Sequence, residues 1–250
     1  MKNIFGVNVF NGQYWQCQDF ILSLRNKAVS SYVCFANAHM IVEANRSDSF
    51  RSVLENADAV FMDGMSLVLS NRILNNDKFS ERFAGMDVIR DILNRCEEDS
   101  FKVFFYGSTS ENLAELKRYL KDNFPNLGVA GSYSPPFRPL TPLEKVEHSE
   151  MINLCKPDFV FVSLGCPKQE IWMSEMKGKV NSVMLGVGNA ILTLSQQEKR
   201  APIVMQRMGM EWLFRFLIEP RRLFKRYLHT NSYFIFLFLK KLLRYNRKIN

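Results

Sequence analysis

Short, continuous apolar runs alternate along this chain with segments in which apolar residues recur at helical spacing. Tyr32-Val33-Cys34-Phe35, Ala59-Val60-Phe61-Met62, Val103-Phe104-Phe105-Tyr106, Phe159-Val160-Phe161-Val162 and Val183-Met184-Leu185 are the runs. Each is apolar on both sides instead of alternating, as expected of strands covered on both faces. Between them, Phe20, Ile21 and Leu24 share a face within residues 14–27, and Val88, Ile89, Ile92 and Leu93 do so within residues 86–96. Ile41, Val42, Val53 and Leu54 read as helix with a break near Ser47, and residues 66–74, 111–122 and 142–155 complete the helical segments. Residues 4–9 read as a further strand that stops at Asn11-Gly12, and Ser134-Pro135-Pro136-Phe137-Arg138-Pro139 as an ordered loop. Strand and helix in this alternation predict an α/β fold, a Rossmann-like and mostly parallel sheet with helices on both faces.

The pattern changes near Pro202. Beyond it the spacing is helical throughout, broken at Pro220, and Arg215, Arg221, Arg222, Lys225 and Arg226 interleave with Trp212, Phe216, Leu217, Leu223, Phe224 and Tyr227. We therefore divide the chain into an α/β domain at 1–202 and a basic, amphipathic helical appendage at 203–250. Charge sharpens the division: of a net +8, residues 199–250 carry +11, so the first 198 carry −3. A basic tail on a mildly acidic body points to an anionic partner, with phosphate, nucleic acid and anionic lipid all fitting that description. The longest apolar run, residues 233–239, is far short of the roughly 20 residues of a membrane span, so membrane association is expected at the surface. The N-terminus reads as strand and not as a secretory signal. Cys17, Cys34, Cys96, Cys155 and Cys166 show no paired-ligand spacing, which favours reduced thiols in a cytosolic protein.

In an open parallel sheet, ligands bind beyond the carboxyl ends of the strands. Asn37, His39, Asp63, Ser108, Gln169 and Glu170 fall at or just past such ends. Asp63-Gly64 reads equally well as a turn and as a functional carboxylate, and Gly107-Ser108 opens a helix whose N-terminus suits an anion. GxGxxG, GxxxxGK[ST], Asp-x-Asp and GxSxG patterns are absent, which removes support for dinucleotide, P-loop, metal-bridged diphosphate and hydrolase-elbow chemistry. No metal site is expected. His39 is read as either a pocket residue or a satisfied structural histidine, and His148 and His229 as surface residues.

Taken together, Asn37-Ala38-His39-Met40, Met62-Asp63-Gly64, Glu81-Arg82-Phe83-Ala84-Gly85-Met86-Asp87, Tyr106-Gly107-Ser108, Ser134-Pro135-Pro136-Phe137 and Gly165-Cys166-Pro167-Lys168-Gln169-Glu170 resemble the WecG/TagA/CpsF family of bacterial glycosyltransferases. So do Gly186-Val187-Gly188, Arg200-Ala201-Pro202, Glu211-Trp212, Glu219-Pro220-Arg221-Arg222 and Arg226-Tyr227, in the same order.

The resemblance implies an inverting transfer of N-acetylmannosamine or a related sugar from a UDP-sugar to an undecaprenyl-diphosphate-linked amino sugar. The setting is cell-surface polysaccharide synthesis at the inner face of the cell membrane, and no cofactor is needed. It implies Asp63 as general base and Arg82 beside the departing diphosphate, with Asn37, His39, Gly107, Ser108, Gly165, Gln169, Glu170, Gly186 and Gly188 around the substrate. Arg215, Arg221, Arg222 and Arg226 of the tail are then expected to face acceptor or diphosphate. Two positions depart from the family: Phe35 stands where a threonine is common, and Ile191-Leu192 where Phe-Asp is common. Competing readings of the same residues are a nucleic-acid-binding module that uses the basic tail and an inactive assembly scaffold. Homo-oligomerisation is left open.

Overall fold

The structure, a computed structural model, describes residues 1–26 and 30–246, with the backbone alone at 207, 222 and 244–246. The apolar runs form β3 (Ser31–Ala36), β4 (Ala59–Met62), β5 (Lys102–Gly107), β7 (Phe159–Ser163) and β8 (Val183–Gly186). With β6 (Gly128–Tyr133) they make one sheet in the order β4-β3-β8-β7-β5-β6, every neighbouring pair parallel. The expected fold class is therefore observed.

The reading of residues 4–9 as one strand needs correction. They lie within a hairpin of β1 (Lys2–Ile4) and β2 (Val7–Val9), a separate antiparallel sheet. Phe5 and Gly6 both take positive φ at its turn, a conformation that alternation of apolar residues cannot reveal. Strand β6 had no expectation at all. Its residues are half-buried or exposed and two are glycine, so it lacks a continuous apolar run. Gly131 is required there, because a Cβ would stand 2.7 Å from the Phe104 ring.

Connections explain the layers. The steps β3 to β4 and β7 to β8 run one way across the sheet, whereas β4 to β5 and β5 to β6 run the other, and right-handed crossovers then place their helices on opposite faces. One face carries α2 (Ala38–Arg46), α3 (Asp48–Glu55), α7 (Pro142–Cys155) and α8 (Lys168–Met176); the other carries α1 (Tyr14–Arg25), α5 (Gly85–Glu98), α6 (Ser110–Asn123) and α9 (Ala190–Leu194). The expected break at Ser47 is where α2 ends and where the Ser47 hydroxyl caps α3. The expected end of the first helix, Lys27, lies outside the described residues.

The last three helices are α10 (Ile203–Arg207), α11 (Glu211–Ile218) and α12 (Pro220–Asn246), and α12 packs on α2 and on α4 (Met65–Leu74). Leu223, Thr230 and Phe234 are its buried residues, with the Phe234 ring 5.3 Å from that of Phe5 in the hairpin. His148, expected at the surface, is buried, its Nδ1 2.7 Å from the Tyr106 hydroxyl. A partner 42 residues earlier in the chain satisfies the imidazole, so burial costs it little. The five cysteines are free, with Cys17, Cys34 and Cys96 buried.

Candidate active site

Asp63 follows the last residue of β4, and its N–H donates to Ala36 O at 2.8 Å, so the β3–β4 ladder itself carries the residue past the sheet edge. The loop that faces it is anchored by Phe83. This ring is fully buried, its centroid 5.4 Å from Phe61 and 5.8 Å from Phe10, and its N–H donates to Met62 O at 2.8 Å. Anchoring Phe83 turns the preceding Arg82 toward Asp63. Arg82 Nε donates to Asp63 O at 2.6 Å, and Nη2 lies 3.5 Å from Asp63 Oδ1.

The same Nη2 donates to Glu211 Oε2, so the first turn of α11 reaches into the site. Arg200 stands behind Glu211, holding Asp87 with two bonds of 2.6 and 2.7 Å. Asp87 lies in the first turn of α5, and Gly85 at that helix's start donates its N–H to Asp63 Oδ1 at 3.3 Å. Asp63, Arg82, Glu211, Arg200, Asp87 and the α5 N-terminus thus form a polar ring.

The Asp63 side chain keeps 30% of its surface open, enough to be reached from outside, while most of the carboxyl is withdrawn from water. That desolvation raises its pKa above the ordinary carboxylate value, with Glu211 adding to it; Arg82, Arg215 and the Gly85 N–H pull the other way without cancelling it. A carboxylate held by arginine yet keen for a proton has the character of a general base. Phe35 contributes a wall beside it: 5% exposed, it stacks on Phe61 at 5.7 Å and lies 3.6 Å from where a Gly85 Cβ would be. The ring occupies this spot with hydrocarbon, so no hydroxyl is offered from residue 35.

Asn37 and His39 lie on the neighbouring strand end. The Asn37 side chain caps α2, accepting from His39 N at 3.0 Å and Met40 N at 3.2 Å. His39 is desolvated, which lowers its pKa, as does the Arg226 charge, while Glu43 at 3.8 Å works in the opposite direction. The imidazole is accordingly neutral at neutral pH.

Further along the edge, β8, β7 and β5 end in glycine turns. Gly107 has φ +115°, and a Cβ on it would stand 2.3 Å from Ser163 O, so only glycine lets the β5 and β7 turns close on each other. Ser108 N donates to Ser163 O at 2.9 Å, Ser163 Oγ donates to Gly188 O at 2.8 Å, and Gly188 N reaches Val162 O at 3.3 Å. Here adjacent strands send their connections in opposite directions, β5 outward to β6 and β7 back to β8, the topological switch point where α/β sheets open a crevice.

Gln169 sits beneath these turns. Its Oε1 accepts from Gly165 N at 3.1 Å, its Nε2 donates to Glu170 Oε1 at 2.7 Å, and together with the Met173 methyl it fills the space that a side chain at Gly186 would need. Glu170 is fully buried, and desolvation pushes its pKa up to about 7 against hydrogen bonds from Gln169 and Cys166. Both side chains are therefore turned into the protein, and they hold the Gly165 turn.

From the tail, Arg215 is close enough to Asp63, and Arg226 to His39, for their charges to act there. Arg221 is exposed at the start of α12, and the Arg222 side chain lies outside the described residues. Among the described residues no cluster of His, Cys, Asp or Glu is arranged to hold a metal ion. Glu211, Arg200, Asp87 and Ser163 were not among the expected site residues. Glu211, Arg200 and Asp87 sit in motifs already quoted for the family resemblance, which was the available signal; nothing in the local pattern singles out Ser163.

The sequence model described as "Glycosyl transferase WecG/TagA/CpsF family" matches residues 2–248. An N-acetylglucosaminyldiphosphoundecaprenol N-acetyl-beta-D-mannosaminyltransferase of Bacillus spizizenii is 30% identical over 193 residues, 77% of this chain and 73% of the relative. A Staphylococcus aureus protein of the same description is 27% identical over 224 residues, 88% of this chain and 86% of the relative.

Proposed function

Because this chain belongs to the WecG/TagA/CpsF family of glycosyltransferases, we propose that it transfers N-acetylmannosamine or a close relative from UDP to an undecaprenyl-diphosphate-linked N-acetylglucosamine, with inversion and Asp63 as general base. The observation that carries the base assignment is the raised proton affinity of a reachable carboxylate at the end of β4, with Arg82 bonded beside it.

An acceptor hydroxyl attacks the anomeric carbon on the face opposite UDP. The new C–O bond forms as the bond to the β-phosphate oxygen breaks, the hydroxyl proton passes to Asp63, and UDP leaves with the electron pair. The charge gathering on that oxygen is met by the Arg82 and Arg215 guanidinium groups, which reduces the need for a metal ion. The Gly165 turn, with open space where a side chain would stand, lets backbone approach the nucleotide closely along the crevice.

The acceptor's polyprenyl chain remains in the bilayer, so the enzyme must work at the membrane surface on its cytoplasmic side. No helix among the described residues is long and apolar enough to cross a membrane. On α12, however, Phe224, Leu228, Ile235 and Leu239 are exposed on one side, with exposed Arg221, Lys225 and Lys240 near its two ends. An apolar stripe flanked by cations suits a helix lying in an anionic leaflet, each cation adding about 1 kcal/mol. Loss of sedimentation with anionic vesicles on changing Phe224, Leu228 and Ile235 to serine is the expected sign of this contact.

The decisive assay offers a panel of UDP-hexosamines with a short-chain lipid-diphosphate amino sugar to wild type and Asp63→Asn. Transfer by wild type that the variant matches would sink the general-base assignment.

A further inference from the structure

The polar ring around Asp63 is complete except at one atom. Arg200 gives its two terminal nitrogens to Asp87, but its third donor, Nε, is buried and finds no hydrogen-bond partner among the described residues. The nearest carboxylate oxygen is Glu211 Oε1 at 3.8 Å, an ion-pair distance beyond hydrogen-bond reach. The other oxygen of that carboxylate, Oε2, is taken by Arg82. Glu211 thus stands between two guanidinium groups, fully bonded to one and about 1 Å short of the other. Arg82 is the group the proposed reaction needs for the diphosphate.

We propose that Glu211 is a positioning residue passed between two arginines: it occupies Arg82 while the site is empty, and closes onto Arg200 Nε when a nucleoside diphosphate takes Arg82. The inference rests on the reading of Arg82 as a diphosphate ligand. An empty site with an unoccupied arginine beside Asp63 would let the base collapse onto that cation; Glu211 shares Arg82 and keeps Asp63 only loosely paired, at 3.5 Å. When the ligand arrives, the displaced carboxylate does not become an unpaired buried anion, because Arg200 already presents a donor that lacks an acceptor. Arg200 is fixed for this by its two-bond grip on Asp87, so the movement falls to the Glu211 side chain alone.

Charges facing Asp63 from each packed element enter the consequence for pH: Arg82 from the loop before α5, Arg215 and Glu211 from α11, Arg200 from the segment before α10, and the Gly85 N–H of α5. Of these only Glu211 is negative. Neutralising it removes the competitor for Arg82 and also a neighbouring negative charge that favours protonated Asp63.

The test uses full-length protein with UDP as the calorimetric probe at fixed ionic strength. Glu211→Gln is expected to bind UDP about 3–5-fold more tightly than wild type, the range of a modest ion pair, and to move the acid limb of the transfer rate to lower pH. Arg200→Lys keeps the charge on Asp87 but removes Nε, and is expected to weaken UDP binding by a similar factor. In the Glu211→Gln background the lysine change should have no effect on UDP, since there is no carboxylate to receive. Equal or weaker UDP binding by Glu211→Gln, or an Arg200→Lys effect that is the same in both backgrounds, overturns the exchange. If Glu211→Gln does not fold, Arg200→Lys decides alone, and unchanged UDP affinity overturns it. Absence of UDP binding by wild type overturns the donor reading itself, and the inference with it.

Discussion

At the β4 end of the strand-end edge the protein places Asp63, Arg82, Glu211 and Arg215; three to four strands away, roughly 14–19 Å along the sheet, the β7 and β5 ends carry Ser163, Gly165, Gly107 and Ser108. The first region is charged, built from side chains, and assembled from β4, the loop before α5 and the tail helix α11. The second is uncharged, built from backbone, and assembled from neighbouring strands. Glu170 is buried beneath it, and with its pKa pushed up to about 7 it is about half protonated at neutral pH. The difference separates two tasks. On the proposed reading, charge is concentrated where protons and phosphate charge are to be handled, and glycine where the chain must come close to itself.

That contrast predicts variants that part activity from stability. Asp63→Asn should lower transfer by about 10²–10⁴-fold, the usual contribution of a general base, in the lipid-acceptor assay. Its stability should not fall. A carboxyl with raised folded-state pKa binds more protons folded than unfolded, so wild-type stability declines as pH rises through that window. Asparagine does not titrate, and thermal unfolding at neutral pH should place the variant at or above wild type. The same shift puts the acid limb of the wild-type rate profile above the ordinary carboxylate range.

Phe83→Ala attacks the support of the charged end. Removing this fully buried ring should cost about 3–5 kcal/mol in denaturant unfolding and release Arg82 from its orientation. Gly107→Ala attacks the uncharged end, where the added methyl meets Ser163 O at 2.3 Å with φ at +115°. About 1–3 kcal/mol of stability should be lost, and an unchanged melting temperature would show that the two turns are not packed as described. Glu170→Gln is the mildest. With the folded pKa near 7, wild-type stability should fall as pH rises from the normal glutamate range to about 7 and then level off. The variant should lack that slope and lead wild type by about 1–3 kcal/mol above it.

Several features of the site were legible in the residues. Asp63 was identifiable as a carboxylate at a strand end because a four-residue apolar run stops abruptly before it. The resemblance then chose between turn former and functional group, which spacing had left open. Gly107 was legible as a turn but not as a steric necessity, since the reason is the Ser163 carbonyl of a strand that comes much later in the chain. His148 was misread for the same reason: its partner, Tyr106, is distant in sequence. Strand β6 escaped because its residues at the sheet edge are half-buried or exposed and form no continuous apolar run, and its glycines resemble a loop.

Alternation of apolar runs and helical faces determined, by itself, the α/β class, the five buried strands, and the strand-end edge along which the candidate site was sought. Those are local properties, written within a few residues of each other by the 2.0 and 3.6 periods of strand and helix. Tertiary structure alone decided the hairpin, the sixth strand, and above all the bond between Arg82 and Glu211 across 129 positions and the grip of Arg200 on Asp87 across 113. An ion pair leaves no periodic trace in the chain; it exists only where the packing of β4, α5 and α11 brings two charges to one place and removes the water between them.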